Sequence, residues 1–132
     1  MSPRAAGRAA ARGPSRTRPL HVLVVDDSAV VRQVLTGLLG QEPGLTAEAA
    51  ADPLIALDKI RHRRPDVIVL DLEMPRMDGL TFLRRLMAED PIPTVVCSGL
   101  AGAGTEAALR AIEEGAVEVI AKPRLAVRDF LH

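Results

Sequence analysis

Leu20-His21-Val22-Leu23-Val24-Val25 running into Asp26-Asp27, and Val67-Ile68-Val69-Leu70 running into Asp71, are apolar runs that each end on carboxylates. A third run, residues 117–121, ends on Lys122-Pro123. Short, continuous, β-branched runs are the pattern of strands buried on both faces of a parallel sheet, and such sheets bind ligands beyond the carboxyl ends of their strands. The pattern therefore gathers Asp26, Asp27, Asp71 and Lys122 along one edge. Carboxylates roughly 4 Å apart repel by about 4 kcal/mol at an effective dielectric near 20, so the cluster calls for a cation, a proton or a lysine. A divalent metal meets that need.

Working outward, strand and helix patterns alternate. Ser28 is placed to cap a helix with Val31, Val34, Leu35 and Leu38 at helical spacing, stopped by Gly40. A weaker strand spans 45–50, and Asp52-Pro53 signals a second helix, running to about Arg63, with the acid as cap and proline in the first turn. The third strand is 66–70, followed by the turn-rich Met74-Pro75-Arg76-Met77-Asp78-Gly79 and a helix with Leu80, Leu83, Leu86 and Met87 on one face. Pro91 and Pro93 close that connection, and strand 94–97 leads into a loop with Gly99, Gly102 and Gly104. A helix after Thr105 presents Ala108, Leu109 and Ile112 and ends near Gly115, a left-handed cap. The fifth strand is 117–121, and a fifth helix, starting near 126–130, is truncated at His132. With right-handed crossovers, these short β-α repeats predict a doubly wound α/β fold with a five-stranded parallel sheet.

The chain has 132 residues, enough for a single domain with a real core. It contains no Trp or Tyr and only two Phe, so Val, Leu, Ile and Ala build that core, which argues against a reader that stacks nucleic-acid bases on rings. Net charge is zero, but five of the 17 basic residues lie before residue 20 and none of the acids does, leaving 12 bases against 17 acids in the remainder. Residues 1–19, Arg-rich and interrupted by Pro and Gly, read as a disordered tail; an amphipathic transit peptide is broken by those residues, and a nucleic-acid-binding arm is the alternative. Cys97 stands alone in an apolar run, a small buried hydrophobe in keeping with a reducing, cytoplasmic setting. No stretch has the length of a membrane span, so no membrane insertion is expected.

The residues Val24-Val25-Asp26-Asp27-Ser28, Leu70-Asp71-Leu72-Glu73-Met74-Pro75-Arg76-Met77-Asp78-Gly79, Ser98-Gly99 and Lys122-Pro123 together resemble the receiver domain of two-component response regulators, a flavodoxin-like fold. All four motifs fall in order within residues 20–124. Asp71-Leu72-Glu73-Met74-Pro75 and Ala51-Asp52-Pro53-Leu54 are similar, more narrowly, to the receiver of the chemotaxis protein-glutamate methylesterase family. The resemblance implies that Asp71 accepts a phosphoryl group from a chemotaxis-type histidine kinase, that Asp27 binds Mg²⁺ directly, that Asp26 orients it through water, and that the Glu73 carbonyl is a further ligand. It implies that Lys122 balances phosphoryl charge, that Ser98 reaches the phosphoryl oxygens, and that Lys122-Pro123 is cis. Oxygen-only coordination suits magnesium, and an in-line attack by a carboxylate nucleophile suits the acids. The Glu73 side chain either tunes phosphoryl hydrolysis or faces water, Arg76 reads as solvated, and Met74 and Met77 read as packing. Each remaining residue also has a plain structural role open to it: loop acid, helix cap, strand-end hydroxyl or surface lysine.

Many receivers carry an aromatic ring three residues before the lysine, where this chain has Val119. Valine lacks the reach to swing between two poses, so signal transmission is expected through Ser98 and the glycine-bearing loop 99–104. A dinucleotide-binding domain is disfavoured because Asp26-Asp27-Ser28 stands where glycines approach a pyrophosphate. A serine hydrolase lacks its G-x-S-x-G elbow, and His21, His62 and His132 show no triad spacing. Esterase activity on chemoreceptor glutamates, implied by the narrower likeness, therefore belongs to a C-terminal domain absent from this chain. A DNA-binding output, or none, is the alternative.

Overall fold

A computed structural model describes residues 18–74, 77–99 and 105–122. The elements are β1 (Leu20–Val25), α1 (Ala29–Gly40), β2 (Leu45–Ala50), α2 (Pro53–His62), β3 (Val67–Leu70), α3 (Gly79–Glu89), β4 (Thr94–Ser98), α4 (Glu106–Glu113) and β5 (Glu118–Ala121). All five strands are parallel, in the order β2-β1-β3-β4-β5. The chain steps from β1 outward to β2, then returns across β1 to β3, so the winding direction reverses between β1 and β3. That reversal opens a crevice at their carboxyl ends.

The helix starts form where short polar side chains take up orphan backbone N–H groups. Ser28 accepts from the Val31 N–H at 3.2 Å, Asp52 from Ile55 at 2.9 Å, Asp78 from Thr81 at 2.9 Å and Thr105 from Ala108 at 3.1 Å. Pro53 opens α2, where its missing N–H costs nothing. Gly115 takes φ 116°, as its cap position requires. Gly40 is the last residue of α1, and the positive φ falls instead on Gly44, in the turn leading to β2. Cys97 is buried.

Leu23, Val25, Ile68, Leu70 and Val96 meet Phe82, Leu83 and Leu86 of α3 in the main core, which Met74 also joins. Burial on both sheet faces, expected for the runs of β1, β3 and β5, holds for β1 beyond Leu20 and is nearly reached in β4. In β3 it alternates, and β5 is mostly exposed. α4 also departs from expectation. Ala108 and Ala111 face inward, whereas Leu109 and Ile112 are 58% and 48% exposed. Small residues let the helix approach closely, and the larger ones are rotated away from the contact. In α1 only Val31 is fully buried, and Leu38 is exposed.

Arg18, assigned to the tail, is paired bidentately with Asp66 at 3.0 and 3.1 Å, and Asp66 also accepts from the His21 N–H at 2.8 Å. Residues 1–17, Pro75, Arg76, the loop 100–104, the Lys122-Pro123 bond and the fifth-helix stub lie outside the described residues.

Candidate functional site

Strand register places the acids. Val25 pairs with Leu70, and the ladder continues one step through Asp71 N–H to the Val25 carbonyl at 2.9 Å, while Asp26 N–H reaches the Ala50 carbonyl at 3.1 Å. Asp26 and Asp71 therefore emerge level at the crevice where the winding reverses. Both are buried, 2% and 1% exposed, and Asp27 beside them is exposed. One carboxylate oxygen from each of the three lies within 4.8 Å of the others.

The buried oxygens are unequally served. Asp26 Oδ1 accepts from the Ser28 N–H at 2.8 Å, and its Oδ2 is 3.4 Å from Lys122 Nζ. Asp71 Oδ1 accepts from the Glu73 N–H at 3.1 Å and lies 3.2 Å from Lys122 Nζ. Asp71 Oδ2 is buried with no hydrogen-bond partner among the described residues. An unpartnered buried oxygen is costly in a purely structural role and suits one that bonds a ligand or reacts. All the donors here are oxygens, the set that Mg²⁺ favours, so the residues fit that ion.

Burial, and then the charge of Asp26, push the Asp71 carboxyl up to about 6, against the opposing pull of the Glu73 N–H and Lys122. Burial also raises Asp26. For Lys122, burial works against the charge, but Asp26 and Asp71 outweigh it and its pKa rises, so the ammonium is held charged. The Cys97 thiol is pushed up to about 11, by burial first and Asp26 next, which leaves it a neutral core residue.

Neighbouring backbone holds this geometry. Lys122 N–H donates to the Ser98 carbonyl at 3.1 Å, which sets the lysine beside β4, and the Arg32 guanidinium donates to the Asp26 carbonyl at 2.9 Å across the first turn. Gly79 opens α3 directly against the segment after Asp71: a Cβ there would sit 2.5 Å from Leu72 Cα and 2.6 Å from the Asp71 carbonyl oxygen. Its glycine is required by close approach and not by backbone conformation. Ser98 is fully buried and its hydroxyl donates to the Glu73 carboxylate.

The residues expected from sequence are thus brought together as two linked groups. Asp26, Asp27, Asp71 and Lys122 form the charged cluster, while Ser98 and the Glu73 side chain bond each other beside it. Val119 is half-buried against the core. Sequence reading missed Arg32 and the contact made by Gly79; an arginine one turn into the first helix was the only signal for the former. It also missed His21, a polar residue inside an apolar strand, whose ring is bonded to Thr46 and Glu48 at the far end of the sheet.

The response regulator receiver domain family matches residues 22–129. The chain is 67% identical over 111 residues to protein-glutamate methylesterase/protein-glutamine glutaminase 1 of Anaeromyxobacter dehalogenans, covering 84% of this chain and 32% of that protein. It is 57% identical over 110 residues to a protein of the same description, numbered 2, from Xanthomonas campestris, covering 83% and 31%. The chain therefore spans about a third of the length of these curated relatives. Among solved structures, the response regulator domain of Thermotoga maritima CheB superposes with a TM-score of 0.76 at 33% identity, covering 86% of this chain and 92% of that one. The receiver domain of NtrX from Brucella abortus gives a TM-score of 0.70 at 35% identity, covering 83% and 92%. With a flavodoxin-like strand order, acids at the β1/β3 crevice and a family match over most of its length, the chain belongs to the response regulator receiver domain family, and its relatives place it with the receivers of chemotaxis protein-glutamate methylesterases.

Proposed function

We propose that this domain is a phosphorylation-controlled switch in which Asp71 takes a phosphoryl group from a chemotaxis-type histidine kinase. The observation that carries this reading is Asp71 Oδ2, buried, unpartnered among the described residues, and set within the acid cluster beside Lys122. A carboxylate oxygen of Asp71 forms the new P–O bond as the P–N bond to the donor imidazole breaks, and the imidazole nitrogen keeps the electron pair. Asp26, Asp27, Asp71 and the Glu73 carbonyl are the residues to hold Mg²⁺. Bound there, the ion neutralises the acidic cluster and the charge of the transferring group. Lys122 supplies a fixed positive charge to the phosphoryl oxygens, and the Ser98 hydroxyl bonds them after transfer.

The relatives' names, protein-glutamate methylesterase/protein-glutamine glutaminase, support a wider role in controlling a methylesterase; a C-terminal position for it, chemoreceptors as its substrates and a cytoplasmic setting complete the proposal. No helix among the described residues is long and apolar enough to cross a membrane. The acceptor assignment is tested by incubating the protein with acetyl phosphate and Mg²⁺, trapping the adduct with borohydride and mapping it by mass spectrometry. Labelling should fall on Asp71 and vanish in Asp71→Asn; an adduct formed at full yield in that variant would overturn the assignment.

A further inference from the structure

We infer that Glu73 is a latch on Ser98: its carboxylate holds the Ser98 hydroxyl in the unphosphorylated domain, and the phosphoryl group must win that hydroxyl from it. The inference rests on the receiver reading above and adds a positioning residue to it. Glu73 straddles both halves of the site, since its backbone N–H donates to Asp71 Oδ1 while its side chain accepts from Ser98. Ser98 is fully buried at the end of β4, and its carbonyl accepts from the Lys122 N–H, so its backbone is held in the sheet while its hydroxyl is committed to Glu73. A phosphoryl group on Asp71 adds close to two negative charges and three acceptor oxygens. It therefore repels the Glu73 carboxylate and competes for the hydroxyl that carboxylate accepts. The Glu73 carboxylate has somewhere to go. A cavity of about 410 Å³ between α3 and α4 is lined by Glu73 together with Asp78, Thr81, Arg84 and Arg110, and Arg84 is already paired with Glu114 at 2.9 Å, so the carboxylate exchanges a hydroxyl for polar, solvent-accessible surroundings in which Arg110 offsets Asp78.

Charge repulsion alone also disfavours phosphorylation, and a double-mutant cycle separates the two effects. Beryllofluoride with Mg²⁺ is the probe, and because the chain has no Trp or Tyr its binding is followed by calorimetry or ¹⁹F NMR. Glu73→Ala should tighten beryllofluoride binding by about tenfold, the scale of one hydrogen bond to a charged acceptor. In a Ser98→Ala background the same substitution should gain less than about twofold, because no hydroxyl remains to be released. Glu73→Gln, which keeps an acceptor and removes the charge, should fall between wild type and Glu73→Ala. In the ligand-free protein, the amide NMR resonance of Ser98 should move in Glu73→Ala toward its position in the beryllofluoride complex. Equal gains in both backgrounds, with the Ser98 resonance unmoved, would overturn the latch and leave the receiver reading standing. Absence of Asp71-dependent beryllofluoride binding in the wild type would overturn the receiver reading and the latch with it.

Discussion

The two ends of the sheet treat buried polar groups in opposite ways. At the amino end the buried polar groups meet partners among the described residues: Asp66 bonds Arg18 and the His21 N–H, and the buried His21 ring lies 2.9 Å from Thr46 Oγ1 and 2.7 Å from Glu48. Further along β2, Lys59 lies 3.6 Å from Glu48 and donates to the carbonyl of Ala49, the penultimate residue of that strand, at 2.6 Å. A cavity of about 440 Å³ lies here, yet the side chains lining it are largely committed to one another. At the carboxyl end two buried carboxylates share one lysine and an oxygen of Asp71 is left unpartnered among the described residues. The amino end lowers the energy of the folded state. The carboxyl end raises it, a cost that a cation or a further hydrogen-bond donor at the cluster would offset.

The largest effect that would sharpen this contrast is on metal binding. Asp27→Ala should lower Mg²⁺ affinity at least a hundredfold by calorimetric titration, whereas Glu48→Ala, an acid of the opposite end, should leave it within about twofold. Equal losses in both would erase the division between the ends.

Gly79→Ala comes next. Its new Cβ would lie 2.5 Å from Leu72 Cα, against backbone that cannot rotate away, so α3 or the segment after Asp71 must shift. Denaturant unfolding should show a loss of about 3 kcal/mol, and phosphorylation of the folded fraction should slow as Asp71 moves.

Asp71→Asn separates stability from function through pH. The Asp71 carboxyl stands at about 6 in the fold against an ordinary 3.8, so the folded state binds the proton more tightly than the unfolded chain. The corresponding stability is present below pH 4 and is lost as pH rises through about 6. Without metal, Asp71→Asn should therefore be more stable than wild type by roughly 2 kcal/mol at pH 7.5, and the difference should shrink toward pH 4. Mg²⁺ should stabilise the wild type more than the variant, since it favours the ionised carboxylate. A pH-independent difference would mean that the acidic end is not strained.

The smallest effect belongs to the amino end. His21 Nε2 lies 2.7 Å from Glu48 and its Nδ1 lies 2.9 Å from the Thr46 hydroxyl. Thr46→Val should cost about 1 kcal/mol by leaving that nitrogen unserved, with Mg²⁺ affinity and labelling of Asp71 unchanged. A loss of labelling would show that the two ends are coupled.

Much of this molecule was legible in the residues themselves, because its signals are local. The apolar runs and the caps Ser28, Asp52 and Thr105 mark their elements through contacts made within a few residues, and β1 and β2 span the residues their patterns predict. The convergence of Asp26, Asp27, Asp71 and Lys122 follows from parallel strands ending on one edge. Tertiary structure alone decided which way α4 turned, since Ala108 and Leu109 are both apolar and only close packing selects the smaller. It also decided that Arg18 reaches Asp66, 48 positions away, that Gly79 meets Leu72 without room for a methyl group, and that the Ser98 hydroxyl goes to Glu73. These contacts depend on distances between segments remote in the chain, which periodicity and propensity do not encode. The unpartnered oxygen of Asp71 belongs with them: sequence indicates that a carboxylate is there, but only the packed crevice determines which of its oxygens is buried with no partner among the described residues.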